Sequence, residues 1–334
     1  MNSYEKNILA FSNQLEGRGL SGHGIEALRG FVPDGIVVCG MGGSGTIGTF
    51  LEHMARSIGI RIPILTVKDI ALPKVPFAHP LFICISFSGN TKETIGVARA
   101  ALKVRGAKVA LVTTGGALLR LALAKKLPHV TFDPGGLTPR GASGYMYYAT
   151  LEIIKKVLPM RVPKISKLIS PSRIRTQGKE LARKFAGTNV LVYSSFRNAH
   201  IGYIWKTNLN ETGKVPAFAN TYPEIYHNEI VGFEKTRVGW SALWLIERHI
   251  APHEARRLKS VRELLTSRGI RHIVVPLKGK NPLEELWYAV ILSHWASMYL
   301  AEMRHIDPTA TRAIDTLKNK SSSEGGSASG GKKE

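Results

Sequence analysis

Residues Gly35–Gly45 read GIVVCGMGGSG: a short β-branched run, a glycine turn and the opening of a helical pattern. A continuous apolar run of this length fits a strand buried on both faces. Glycines lacking a Cβ let the backbone approach an anion closely, and the N–H groups of the following helix point at the same place. The turn alone has two further readings. It fits a dinucleotide-binding fingerprint, which wants an acidic residue about 20 positions on; the nearest, Asp69, lies 24 residues past Gly45 and follows Lys68. It also fits a tight turn with no ligand.

Residues Leu81–Thr91, LFICISFSGNT, narrow the choice. A second buried run ends in Ser86, Ser88, Gly89 and Thr91 at the start of another helix. N-capping accounts for one of these hydroxyls but not for three. Together they make a neutral, hydrogen-bonding cradle for a monophosphate, which a dinucleotide site does not need. Loops after two strands of one open sheet converge at its carboxyl edge, where ligands of such sheets bind.

Outward from these loops, strands and helices alternate, which argues βαβ units and an α/β fold. In the first half, strands are expected at 35–39, 62–67, 81–85, 109–113 and 130–132, with helices at 46–58, 92–104 and 118–126. The pattern resumes with a strand at 190–193 and a helix at 199–209. Strand positions follow at 217–218, 243–246 and 272–276, then a long apolar helix at 284–303. The expected division is an N-terminal phosphate-binding domain (1–157), a basic linker or helix (158–186), a C-terminal domain (187–318) and a disordered Gly/Ser tail (319–334).

The chain has 334 residues, long enough for two cores. Two cysteines exclude a disulfide scaffold, and Cys39 and Cys84 sit in apolar runs as small hydrophobes. No run reaches the ~18 apolar residues of a membrane helix, and the charged N-terminus lacks a signal-peptide core. A cytoplasmic protein without membrane association is expected. The formal net charge is +22, with ten basic residues against Glu180 alone between Lys155 and Lys184. Such a field favours anionic partners. No helix-turn-helix, zinc-finger or RNA-binding signature accompanies it, so no specific nucleic-acid partner is expected.

Three further blocks carry a family resemblance. Thr138–Tyr145 (TPRGASGY), Lys206–Ala217 (KTNLNETGKVPA) and Pro223–Gly232 (PEIYHNEIVG) are similar to segments of bifunctional phosphoglucose/phosphomannose isomerases. The ending from Asp307 to Lys318 is similar too, and the two loops resemble those of the sugar isomerase (SIS) fold. The blocks span residues 38 to 318 in the family's order. The resemblance implies two tandem SIS-type doubly wound domains with parallel sheets flanked by helices. It implies interconversion of glucose 6-phosphate and mannose 6-phosphate with fructose 6-phosphate through an enediolate, without metal or cofactor.

The resemblance also implies a set of roles, each with a chemical reason. Glu229 would carry the proton between C1 and C2. Arg140 would face the enediolate with a charge that cannot be lost to the base. Ring opening needs a group that exchanges protons near neutrality, as histidine does. His253 is the expected choice and His249 the reserve, in a segment, RHIAPHEARR, that departs from the family pattern. The family draws this histidine from a neighbouring subunit, which implies a homodimer with a shared active site. Lys318 would assist ring opening and Thr311 would line the pocket. Gly42, Gly43, Ser44, Gly45, Ser86, Ser88 and Thr91 would hold the phosphate. His249 and His253 have i, i+4 spacing, but Pro252 between them argues against a shared metal. A non-catalytic phosphosugar sensor is the alternative, and a basic nucleic-acid-binding protein the more distant one.

Overall fold

The computed structural model describes residues 3–235, 239–314 and 316. The first sheet contains β1 (Leu20–His23), β2 (Gly35–Cys39), β3 (Ile64–Val67), β4 (Pro80–Ser86), β5 (Lys108–Thr113) and β6 (His129–Phe132), in the order β1-β6-β5-β4-β2-β3. The five strands from β2 to β6 are parallel, in register from Cys39 opposite Cys84 to Ser86 opposite Thr113. The sixth, β1, is an edge strand that the sequence pattern does not mark, and it pairs antiparallel with β6. Its short, polar sequence, LSGH, is mostly exposed and carries no apolar run to announce it.

The second sheet holds β7 (Asn189–Ser195), β8 (Ala217–Tyr222), β9 (Trp240–Ile246) and β10 (Arg271–Pro276), all parallel, in the order β10-β9-β7-β8. The helices are α1 (Ser3–Leu9), α2 (Phe11–Gln14), α3 (Gly42–Met54), α4 (Lys92–Ala101), α5 (Gly116–Lys125), α6 (Ser143–Ile154), α7 (Pro171–Phe185), α8 (Ala199–Glu211), α9 (Pro252–Ser267) and α10 (Pro282–Met303).

Three apolar layers organise these elements. Val97 and Ala101 of α4 and Leu118 and Ala122 of α5 cover the outer face of the first sheet. A continuous central layer joins the inner faces of both sheets through α1, α3, α6, α7, α8 and α10, with Phe50, Trp205 and Trp287 fully buried. The outer face of the second sheet packs on α9 through Leu258, Val261 and Leu265. Strand alternation decides which residue faces which layer: along β7, Val190 and Val192 join the central layer, while Leu191 and Tyr193 face α9.

Three local expectations shift. The first helix begins at Gly42 rather than Thr46, so the glycines form its first turn. Pro252 starts α9 at its first position instead of interrupting a helix, and His249 lies before it. Within 158–186, residues 171–185 form an amphipathic helix, again opened by proline, whose Ile174, Leu181 and Phe185 are buried in the central layer. The Gly/Ser tail lies outside the described residues.

Candidate active site

The two loops meet at the carboxyl ends of β2 and β4. Gly42 adopts φ +53°, where a side chain would be strained, and its N–H and that of Gly43 precede the first bonds of α3, from Ser44 and Gly45 to Met41 O. Ser44 Oγ accepts the Phe87 N–H at 3.2 Å and so ties one loop to the other. In the second loop, buried Ser86 accepts from Gly89 N at 3.1 Å and donates to Thr91 Oγ1 at 3.0 Å, while the Ser88 side is exposed. Gly89, at φ +66°, lies so close to Gly115 that a Cβ would come within 1.8 Å of its carbonyl oxygen. Ser86 thus shapes the loop, leaving Ser88, Thr91 and the backbone donors at its open side.

A third loop joins them. A Cβ on Gly43 would lie 3.4 Å from Pro139, in the turn carrying Arg140. This turn is held by the N-terminal helices: Asn7 Oδ1 accepts from Thr138 N at 2.7 Å, and Gln14 Nε2 donates to Gly141 O at 2.6 Å.

The Arg140 side chain is 6% exposed and donates to Glu211 Oε2 at 2.5 Å and to Pro308 O at 3.3 Å. Burial works against its charge, but Tyr4 and Glu211 outweigh it and hold the guanidinium above its ordinary pKa. Glu211, the last residue of α8, keeps 27% of its side chain exposed. Beside it, Lys214 Nζ donates to the carbonyl oxygens of Glu211 and Ala310, clamping the 307–310 segment to the end of α8. Burial, then Arg140, lowers the Lys214 pKa. A buried cation and a partly open carboxylate thus lie beside the two glycine- and serine-bearing loops.

Of the expected site residues, the loop residues and Arg140 come together here. Thr311 follows Ala310 in the clamped segment and is half-buried. Lys318 lies outside the described residues. Glu229 is elsewhere: its carboxylate accepts from Tyr193 Oη at 2.7 Å and from Asn220 Nδ2 at 2.5 Å, on the α9 side of the second sheet. Helix α8 and Glu211 lie on the other side, so within one chain the sheet separates Glu229 from Arg140. His253 is exposed and lines an outer cleft of about 720 Å³ with Tyr226, His227 and Arg256; His249 is exposed as well. Glu211 is the residue the sequence reading passed over. It lies inside the matched block at 206–217, but its pairing with Arg140 spans 71 residues and no local spacing reveals it.

Residues 174–320 match the model of the bacterial phospho-glucose isomerase C-terminal SIS domain. Over 289 residues the chain is 31% identical to the bifunctional phosphoglucose/phosphomannose isomerase of Aquifex aeolicus, covering 85% of this chain and 89% of that one. The chain belongs to the bifunctional phosphoglucose/phosphomannose isomerase family. The Thermoplasma volcanium member is 30% identical, again over 85% of this chain and 90% of its own. Among solved structures, tagatose-6-phosphate ketose/aldose isomerase from Escherichia coli aligns with a TM-score of 0.66 at 15% identity, over 92% of this chain and 94% of its own. That likeness establishes a fold shared with a phosphosugar isomerase. None of the helices among the described residues is long and apolar enough to cross a membrane.

Proposed function

We propose that this protein interconverts glucose 6-phosphate and mannose 6-phosphate with fructose 6-phosphate by proton transfer through an enediolate, with Glu211 as the base. The observation that carries this reading is the 2.5 Å pairing of Glu211 with buried Arg140 beside the two phosphate-type loops. The phosphate would sit on the first turn of α3 and on Ser88 and Thr91, with the sugar chain reaching toward Arg140. Glu211 takes the proton from C2 of the opened aldose and returns it to C1 of the enediolate. A single carboxylate serves both carbons because it reaches both from one face. Arg140, paired with Glu211, faces the negative charge as it moves onto the substrate oxygens.

Glu229, bonded to Tyr193 and Asn220, has a different part in this reading: it steadies the loop that presents His227. His227 and His253 share an exposed cleft on the outer face, and a second copy would bring such a histidine to the sugar ring for its opening. The working unit is then a homodimer. Thr311 and Lys318 complete the sugar contacts from the C-terminal block. No metal takes part in these steps.

The test is fructose 6-phosphate formation from each aldose phosphate in the presence of EDTA. Turnover of both supports the reading. Turnover of neither, with the phosphosugar still bound, replaces it with a sensor, and loss of turnover to the chelator removes the metal-free mechanism.

A further inference from the structure

Beneath Arg140 lies a buried polar group that the proton-transfer steps above do not use. Tyr4, fully buried on α1, places its hydroxyl 2.8 Å from Thr212 Oγ1 and 2.7 Å from His294 Nδ1, and its ring centroid 6.0 Å from Arg140 Cζ. Thr212 follows Glu211 directly at the end of α8 and is fully buried. His294 belongs to α10, so one phenol ties three elements together beneath the charged pair. Asn7 and Gln14, from the same N-terminal helices, hold the backbone of the Arg140 turn.

We propose that Tyr4 is a positioning residue for the proton transfer, fixing Glu211 through Thr212 while its ring supports the Arg140 guanidinium. The inference rests on the isomerase reading above. Its chemistry follows from the charges present. Burial raises the Tyr4 pKa and lowers that of His294, so both remain neutral at physiological pH. The phenol hydroxyl has two partners in different directions, which fixes the rotation of the Thr212 side chain and with it the last turn of α8. Glu211 has no other side-chain bond than the one to Arg140 among those described, so its aim depends on the backbone that carries it. Catalytic geometry is sensitive at this scale: a misplacement of about 1 Å costs on the order of 100-fold in rate.

The experiment compares Tyr4→Phe, which removes the hydroxyl alone, with wild type in the coupled isomerase assay, following kcat and KM for glucose 6-phosphate. The expected result is a kcat lower by about 10- to 100-fold with KM changed by less than about twofold. A residue that serves folding alone lowers thermal stability and leaves the kcat of the folded protein in place. Thr212→Ser, which keeps the hydroxyl, is expected to retain the rate, and Thr212→Val to lose it like Tyr4→Phe. This second pair decides the matter if Tyr4→Phe fails to fold. Wild-type kcat in Tyr4→Phe, or in Thr212→Val, overturns the inference alone. An inactive wild type overturns the isomerase reading and this inference with it.

Discussion

Replacing Glu211 by Gln separates charge from shape at the proposed base. The amide keeps the length of the side chain and its carbonyl oxygen still accepts from Arg140, so the geometry of the 2.5 Å contact survives. The carboxylate that would take the proton does not. Positioned acid–base groups contribute about 100- to 10,000-fold, so kcat should fall by roughly that factor. Stability should fall as well, because Arg140 is 6% exposed and loses its anion. Hydrogen bonds to charged groups are worth about 1.5–3 kcal/mol. Glu211 is 27% exposed, and water recovers part of that, leaving a loss of about 1–2 kcal/mol. In a chain of this size the drop in Tm is a few degrees, which is compatible with a folded variant. The coupled assay and a thermal melt of Glu211→Gln, run beside Glu229→Gln, give the answer. Near-normal turnover in Glu211→Gln with collapse in Glu229→Gln would refute the reasoning from the Arg140 pair.

Other consequences are separable from this one. Ser86→Ala removes the hydroxyl that accepts from Gly89 and donates to Thr91, so KM for either aldose phosphate should rise by about tenfold, the equivalent of one lost hydrogen bond; an unchanged KM would count against the phosphate loop. Stability should decline as pH falls below neutrality. His294 has its pKa pushed down to about 3 by burial and Arg140, and burial also holds His200 well below its ordinary value. The unfolded chain then binds more protons than the folded one from about pH 6.5 downward, so the unfolding free energy drops through that window. Urea melts at pH 7 and pH 5 measure it, and His294→Gln should flatten the slope. Mixing Glu211→Gln with a His227→Ala, His253→Ala double variant, after exchange of subunits, should restore activity that neither has alone; no recovery would place the histidine within the same chain.

Much of the scaffold is legible in the residues because buried parallel strands announce themselves as apolar runs. GIVVC and LFICI locate β2 and β4, and the glycine and serine turns after them locate the ligand edge. Elements that bury little are harder to read. Strand β1 is polar, and α9 buries only Leu258, Val261 and Leu265 against a largely charged sequence. In α9 the opening proline reads as an interruption, although at the first helical position its missing N–H costs nothing. The site divides in the same way. Local motifs expose the glycine and serine loops and Arg140. The partnership of Arg140 with Glu211, and of Tyr4 with Thr212 and His294, depends on how three helices pack together. Glu229 draws attention in sequence through its polar neighbours His227 and Asn228, whereas packing places it on the outer face of the second sheet.

The most direct test of the central claim follows hydrogen itself. Glucose 6-phosphate and mannose 6-phosphate, each carrying deuterium at C2, are converted in ordinary water and the fructose 6-phosphate is read by NMR. Proton transfer by Glu211, whose carboxylate is partly open to solvent, predicts product from both epimers with deuterium partly lost from C1, and far slower conversion by Glu211→Gln. Complete retention of deuterium at C1 would indicate hydride transfer and contradict the account, as would failure of either epimer to react.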